Sequence, residues 1–357
     1  MASHAEFDQA TEALDAAKAF PDQIKGKTII VTGVSKLGIG FTTAQAFASQ
    51  APAHLIIASR TPANIQECID AIKADYPQVD YRPLKLDLGS QDAVRDAAKE
   101  VMSWDDVPEI NLVVNSAGIM NLPKRKFSPE GIELTFATNH IGHFLFTNLL
   151  MPKLLKSAKS SPKGATRIVN VTSLSPTVAG IRWSDINFDK ISTDLPEDEQ
   201  PNYQMMNMWG QGPAEGKSYL PIEAYNQSKV GNVLFSVGLN KRLADKGILS
   251  FACHPGIINT DLVRYASPEV RVAIKERVKG VYMKSLGAGS STSIVCATDP
   301  GLGVPAEEAD ANGKENHGVY FIDCQVSDRA DPRAVSSKNA ERLWALSEDL
   351  VKEKFTY

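Results

Sequence analysis

Thr28-Ile29-Ile30-Val31-Thr32-Gly33-Val34-Ser35-Lys36-Leu37-Gly38-Ile39-Gly40, continued by the helical pattern of Phe41–Ser49, sets the architecture of this chain. The β-branched run Thr28–Thr32 fits a strand buried on both faces. Gly33, Gly38 and Gly40 let the backbone approach a pyrophosphate, and the helix that follows offers unpaired N–H groups and a positive dipole end. Turns use glycine as well, so the cluster takes its meaning from its place between a first strand and a helix.

Outward from this unit the pattern repeats. Leu55–Ser59, Tyr81–Leu86, Leu112–Asn115, Arg167–Thr172, Leu249–Cys253 and Val319–Ile322 read as further strands. Helical periods fill the intervals at Asn64–Tyr76, Gln91–Ser103, Gly131–Leu155 and Ala224–Ala244. The alternation predicts one α/β domain over residues 1–357. It is a doubly wound (Rossmann) parallel sheet of about seven strands with helices on both faces. Its ligand crevice lies beyond the C-terminal strand ends. Phe7, Ala10, Leu14 and Ala17 recur at helical spacing and predict a short amphipathic helix within residues 1–21. The segment 182–223, from Arg182 to Glu223, has no period and is too long for an ordinary connection. Its middle, Tyr203-Gln204-Met205-Met206-Asn207-Met208-Trp209, is rich in large apolar residues, which suit a mobile substrate lid. Disorder or an oligomer contact, as in a homodimer, are the alternatives.

Composition narrows the function. The chain has 357 residues, 43% of them apolar, with 38 Lys plus Arg against 42 Asp plus Glu. A net charge of −4 gives no basic field for nucleic acid or an anionic membrane. Cys68, Cys253, Cys296 and Cys324 have no metal or disulfide spacing and read as reduced thiols. No apolar run near the N-terminus reads as a signal peptide or membrane anchor, so a cytoplasmic location is expected. His140 and His143 lack companion ligands at metal-binding spacing, and no metal is expected.

Several strand ends carry chemistry. Where a dinucleotide fold usually places an acidic residue, the second strand ends in Ser59-Arg60. Arg60 offers a permanent planar cation to a 2′-phosphate, and Lys36 adds a second charge, which points to NADP(H). Asn115, Ala117 and Gly118, around the end of the fourth strand, leave room for a ribose and a nicotinamide. Tyr225 and Lys229, at i and i+4 on a helix, share one face. Tyr81 and Lys85 have the same spacing but lie on a strand, where four residues span roughly 13 Å. A tyrosine with a pKa of about 10 is a poor base, and a nearby ammonium lowers that value. Ser173, past the fifth strand, is placed to hydrogen-bond a carbonyl oxygen.

Taken together, these residues resemble the short-chain dehydrogenase/reductase superfamily from Lys27 to about Val351. The nearest likeness is to its retinol-dehydrogenase-like and WW-domain-oxidoreductase-like members. The motifs, in order, are Thr32–Gly40, Leu86-Asp87-Leu88, Asn115–Gly118, Ala137–Phe144, Ile168–Ser173, Tyr225-x-x-x-Lys229 and His254-Pro255-Gly256. The resemblance implies Tyr225 as proton donor and Lys229 as ribose ligand, with Ser173 orienting the carbonyl and Asn139 holding a water. It implies Asp87 and Leu88 at the adenine, and Pro255, Gly256, Ile258 and Thr260 near the nicotinamide. Gly33 and Gly38 stand one residue further apart than usual, which leaves open which of Ser35, Lys36 and Leu37 meets the phosphates.

The expected function is NADPH-dependent reduction of a lipophilic carbonyl compound, or oxidation of the matching alcohol. A non-catalytic NADP(H) sensor, and an imine reductase or cyclase, are the competing readings.

Overall fold

The computed structural model describes residues 2–357. Its eight strands are β1 Thr28–Thr32, β2 His54–Ser59, β3 Asp80–Lys85, β4 Leu112–Asn115, β5 Thr166–Val171, β6 Ile248–His254, β7 Tyr320–Ile322 and β8 Gln325–Val326. They form one sheet in the order β3-β2-β1-β4-β5-β6-β7-β8, parallel except for the β7–β8 pair. Each parallel strand falls within one residue of its predicted run. β3 tolerates Pro83 because it is an edge strand, where a missing N–H leaves no ladder bond broken.

The helices are α1 Ala13–Ala19, α2 Ile39–Ala48, α3 Pro62–Asp75, α4 Gln91–Met102, α5 (134–149), α6 Met151–Ser160, α7 Pro221–Leu243, α8 Pro268–Arg277, α9 Leu286–Thr298 and α10 Ser337–Val351. Strand residues alternate between two cores. Ile30, Ile56, Val113 and Ile168 point into one core with residues of α4, α5, α7 and α10. Ile29, Val31, Leu55 and Ile57 point into the other, with α1, α2, α3 and α9. The helical run predicted over Gly131–Leu155 is broken at Leu150, where Met151-Pro152 starts a new helix.

The N-terminal helix differs from the expectation. It starts only at Ala13, after a turn in which Asp8 bonds the backbone of Ala10 and Thr11 bonds that of Asp8. Ala13, Ala16 and Ala17 face inward and Leu14 faces solvent. Small residues let the helix approach α9 closely, so the alanines form the packed stripe.

The segment 182–223 is ordered by local bonds. Arg182, buried, pairs with Asp185 at 2.5 Å and donates to the backbone oxygens of Lys190 and Ser218. Met206, Ala214, Leu220 and Ile222 form a small core of their own, capped by Tyr203, Met205 and Trp209. The turn Asn207–Gln211 packs on α8, so closely that a Cβ on Gly210 would lie 3.0 Å from the Glu269 carbonyl oxygen.

Candidate active site

A cavity of about 620 Å³ opens at the C-terminal ends of β1, β2, β4, β5 and β6. The strand order turns back between β1 and β4, which creates the crevice there. Most of the sequence-predicted residues line it: Gly33, Ser35, Leu37, Gly38, Ile39, Gly40, Ser59, Arg60, Asp87, Leu88, Ala117, Gly118, Ser173, Tyr225, Lys229, Pro255, Gly256, Ile258 and Thr260. Gly33, at φ +73°, is held against the β4 turn, and a Cβ there would lie 2.4 Å from the Ala117 Cα. Thr32 Oγ1 accepts from the backbone N–H groups of Ser116 and Ala117 at 3.0 and 3.1 Å. It is therefore left to donate its proton to His143 Nε2, 2.9 Å away, while His143 Nδ1 donates to the Asn139 carbonyl. His140 Nε2 meets Ser347 Oγ at 2.8 Å. Burial pushes His140 and His143 down to about 3 and about 4, so both are neutral near pH 7.

Three predicted residues stand outside the cavity lining. Lys36 pairs with Glu67, with 3.2 Å between ammonium and carboxylate, and does not line the cavity. Asn115 is buried and donates to Thr147 Oγ1 and Asn170 Oδ1, tying β4 to β5; Ser116 lines the cavity instead. Asn139 sits behind Gly118, where a Cβ would lie 3.4 Å from its Oδ1. Its amide accepts from Ile119 N at 2.8 Å and donates to Ile119 O and Ser228 Oγ at 2.9 Å each. Asn139 lies in a π-helical turn, Ala137–Ile141, whose widened backbone brings it to the site.

Tyr225 and Lys229 project from the second and third turns of α7, on one face as their spacing requires. The Lys229 ammonium lies 5.7 Å from the Tyr225 ring centroid and donates to the Val171 carbonyl at 2.9 Å. Burial pushes Lys229 down to about 8. Burial also raises the Tyr225 phenol, and a hydrogen bond with Ser173 opposes the rise. The Lys229 ammonium faces the Tyr225 ring rather than bonding its hydroxyl. Ser173 Oγ accepts from Ser175 N at 2.9 Å and donates to Ser175 Oγ at 2.7 Å. Gly256 has φ +93°, and a Cβ there would strike the Lys284 side chain at 2.5 Å. Lys284 crosses this turn to pair with Asp323 at 2.6 Å, which fixes the loop after β6.

His254 of the His254-Pro255-Gly256 motif also lines the cavity, as do Leu262, Arg264 and Tyr265, which the sequence reading did not single out. Residues 261–265 form the outer wall, and none of the lining residues comes from 182–223. The Met-rich insert therefore stands behind this wall, through its contact with α8. The residues present fit a dinucleotide. The glycine turn leaves backbone open to phosphates, Ser116 Oγ is buried without a partner, and Lys229 has donors beyond its one bond to Val171.

The family model for short chain dehydrogenases matches residues 27–185. The chain is 36% identical to the oxidoreductase fscI of Fusarium equiseti over 70% of this chain and 94% of that one. It is 31% identical to retinol dehydrogenase 12 of Bos taurus, over 92% of this chain and 87% of the relative. Among solved structures, an uncharacterised protein from Mycobacterium paratuberculosis shares the fold with a TM-score of 0.63 at 24% identity, over 96% of this chain and 98% of that one. On this sequence likeness, fold and motif order, the chain belongs to the short-chain dehydrogenase/reductase superfamily, whose fold binds a nicotinamide cofactor.

Proposed function

We propose that this oxidoreductase is an NADPH-dependent carbonyl reductase, or the dehydrogenase of the matching alcohol, acting on a lipophilic small molecule. The carrying observation is one cavity that joins Ser173, Tyr225 and Lys229 to Arg60. Arg60 follows β2 and Ser173 follows β5, three strand spacings or roughly 14 Å apart. An extended dinucleotide with a 2′-phosphate suits that reach. Ile119, Leu122 and Leu262 supply an apolar lining, and the retinol named for one relative is a lipophilic alcohol.

A nicotinamide held in this cavity would supply the hydride for the carbonyl carbon. Tyr225 donates its phenolic proton to the carbonyl oxygen, and the alcohol leaves. Ser173 donates to the same oxygen and fixes the carbonyl beside Tyr225. Lys229 would hold the ribose, and Asn139 would hold a water through which the Tyr225 proton is replaced. The reading includes a cytoplasmic location; among the described residues no helix is long and apolar enough to cross a membrane.

A panel of aldehydes, ketones and cyclic imines, followed by the loss of NADPH absorbance, tests the reading. Turnover is expected with at least one apolar ketone or aldehyde. Stoichiometric NADPH binding with no turnover across the panel would favour a cofactor sensor, and turnover confined to imines an imine reductase.

A further inference from the structure

One end of the cavity gathers two cations from distant parts of the chain. Arg60 follows β2, and Arg264 lies in the 3-10 turn Asp261–Tyr265 beyond β6; both line the cavity together with Tyr265. The Arg264 guanidinium carbon is 4.7 Å from the Tyr265 ring centroid. The Tyr265 phenol is held below the ordinary phenol range by the positive charges beside it, Arg264 first and Arg60 second. Arg264 donates to the Asp261 carbonyl at 2.9 Å. Among the described residues, neither guanidinium pairs with a carboxylate, while nearby Lys36 is held by Glu67. In a chain of net charge −4, two guanidinium groups at one cavity end repel each other until an anion bridges them.

We propose that Arg264 is a second ligand for the 2′-phosphate held by Arg60, so that this phosphate latches the wall 261–265 over the cofactor. The proposal rests on the NADPH reading and adds a specificity-determining residue on a different segment. Chain geometry gives the latch a consequence. Arg271, in α8, donates to the carbonyls of Arg264 and Ala266 at 2.8 and 3.0 Å, so the turn and α8 move as one piece. Leu262, in the same turn, lines the cavity. The phosphate at one end of the cofactor thereby sets the wall that the substrate meets. NADH, which lacks that phosphate, leaves Arg60 and Arg264 unbridged and the wall unlatched.

Calorimetric titration of the whole protein with NADPH, NADH and 2′,5′-ADP tests this, alongside limited trypsin cleavage at Arg271–Lys279. Arg264→Ala is expected to weaken NADPH and 2′,5′-ADP by roughly tenfold, the scale of one charge-assisted phosphate contact, and to leave NADH unchanged. NADPH, and not NADH, should protect the 271–279 segment from trypsin, and Arg264→Ala should abolish that protection. Arg264→Lys should recover part of both, since the charge survives without the planar fork. Equal weakening of NADPH and NADH by Arg264→Ala, or none of either, overturns the latch. Arg60→Ala separates the two levels. If it weakens NADPH selectively while Arg264→Ala does not, only the latch fails. If wild type binds NADPH and NADH alike and neither variant changes this, the NADPH reading falls with it.

Discussion

Lys229 illustrates how burial acts on single residues of the site. Its ammonium, enclosed and bonded to one carbonyl, is pushed down to about 8. A bound anionic cofactor favours the charged form and must raise that value. At a pH above about 8, binding NADPH should therefore take up protons, because the free protein has already lost part of its Lys229 charge. Calorimetry in buffers of different ionisation enthalpy reads this uptake, and Lys229→Met should abolish it; wild-type binding without proton uptake would contradict the assignment. Tyr225 and Lys229 were legible because helical spacing alone fixes their common face, and Tyr81 with Lys85 was discarded because Asp80–Lys85 is a strand. Lys36 and Asn115 stand outside the cavity lining for a related reason. Their positions at strand ends are right, but the direction of a side chain there depends on neighbours such as Glu67 and Asn170. Arg264 had no pattern to find, since a lone cation in a loop acquires meaning only when folding sets it beside Arg60.

Among the elements, strands were read well because their β-branched runs are bounded by turns, whereas α9 went unseen. Its sequence, Leu286-Gly287-Ala288-Gly289-Ser290-Ser291-Thr292-Ser293-Ile294-Val295-Cys296-Ala297-Thr298, is buried on nearly every side and so has no polar stripe. Its small residues are demanded by close contact, as a Cβ on Gly289 would lie 2.2 Å from Ile258 Cδ1. β8 has only two residues, too few for any period. The insert 182–223 was read as a substrate lid, whereas none of its residues lines the cavity and its position is a tertiary fact. We propose that it braces α8 and, through α8, the wall 261–265. Replacing 192–216 with a short Gly-Ser linker should lower kcat/KM by roughly tenfold or more, because a loosened wall misplaces the substrate. It should also speed tryptic cleavage within α8. Unchanged kcat/KM together with unchanged cleavage would show that the insert braces nothing.

At the scale of the molecule, the alternation of strands and helices fixed the sheet, and right-handed crossovers fixed where its crevice lies. That crevice brings together five strand ends whose residues are scattered from Thr32 to Tyr265. The central claim is that Tyr225 is the proton donor of a reductase built on this scaffold. The most direct test compares NADPH affinity with steady-state turnover in Tyr225→Phe, using the best carbonyl substrate of the panel. The phenylalanine keeps the ring against Lys229 and removes only the transferable proton. The account predicts an NADPH Kd within about twofold of wild type and a kcat reduced by roughly 100-fold or more. A variant that keeps more than about a tenth of wild-type kcat would contradict it.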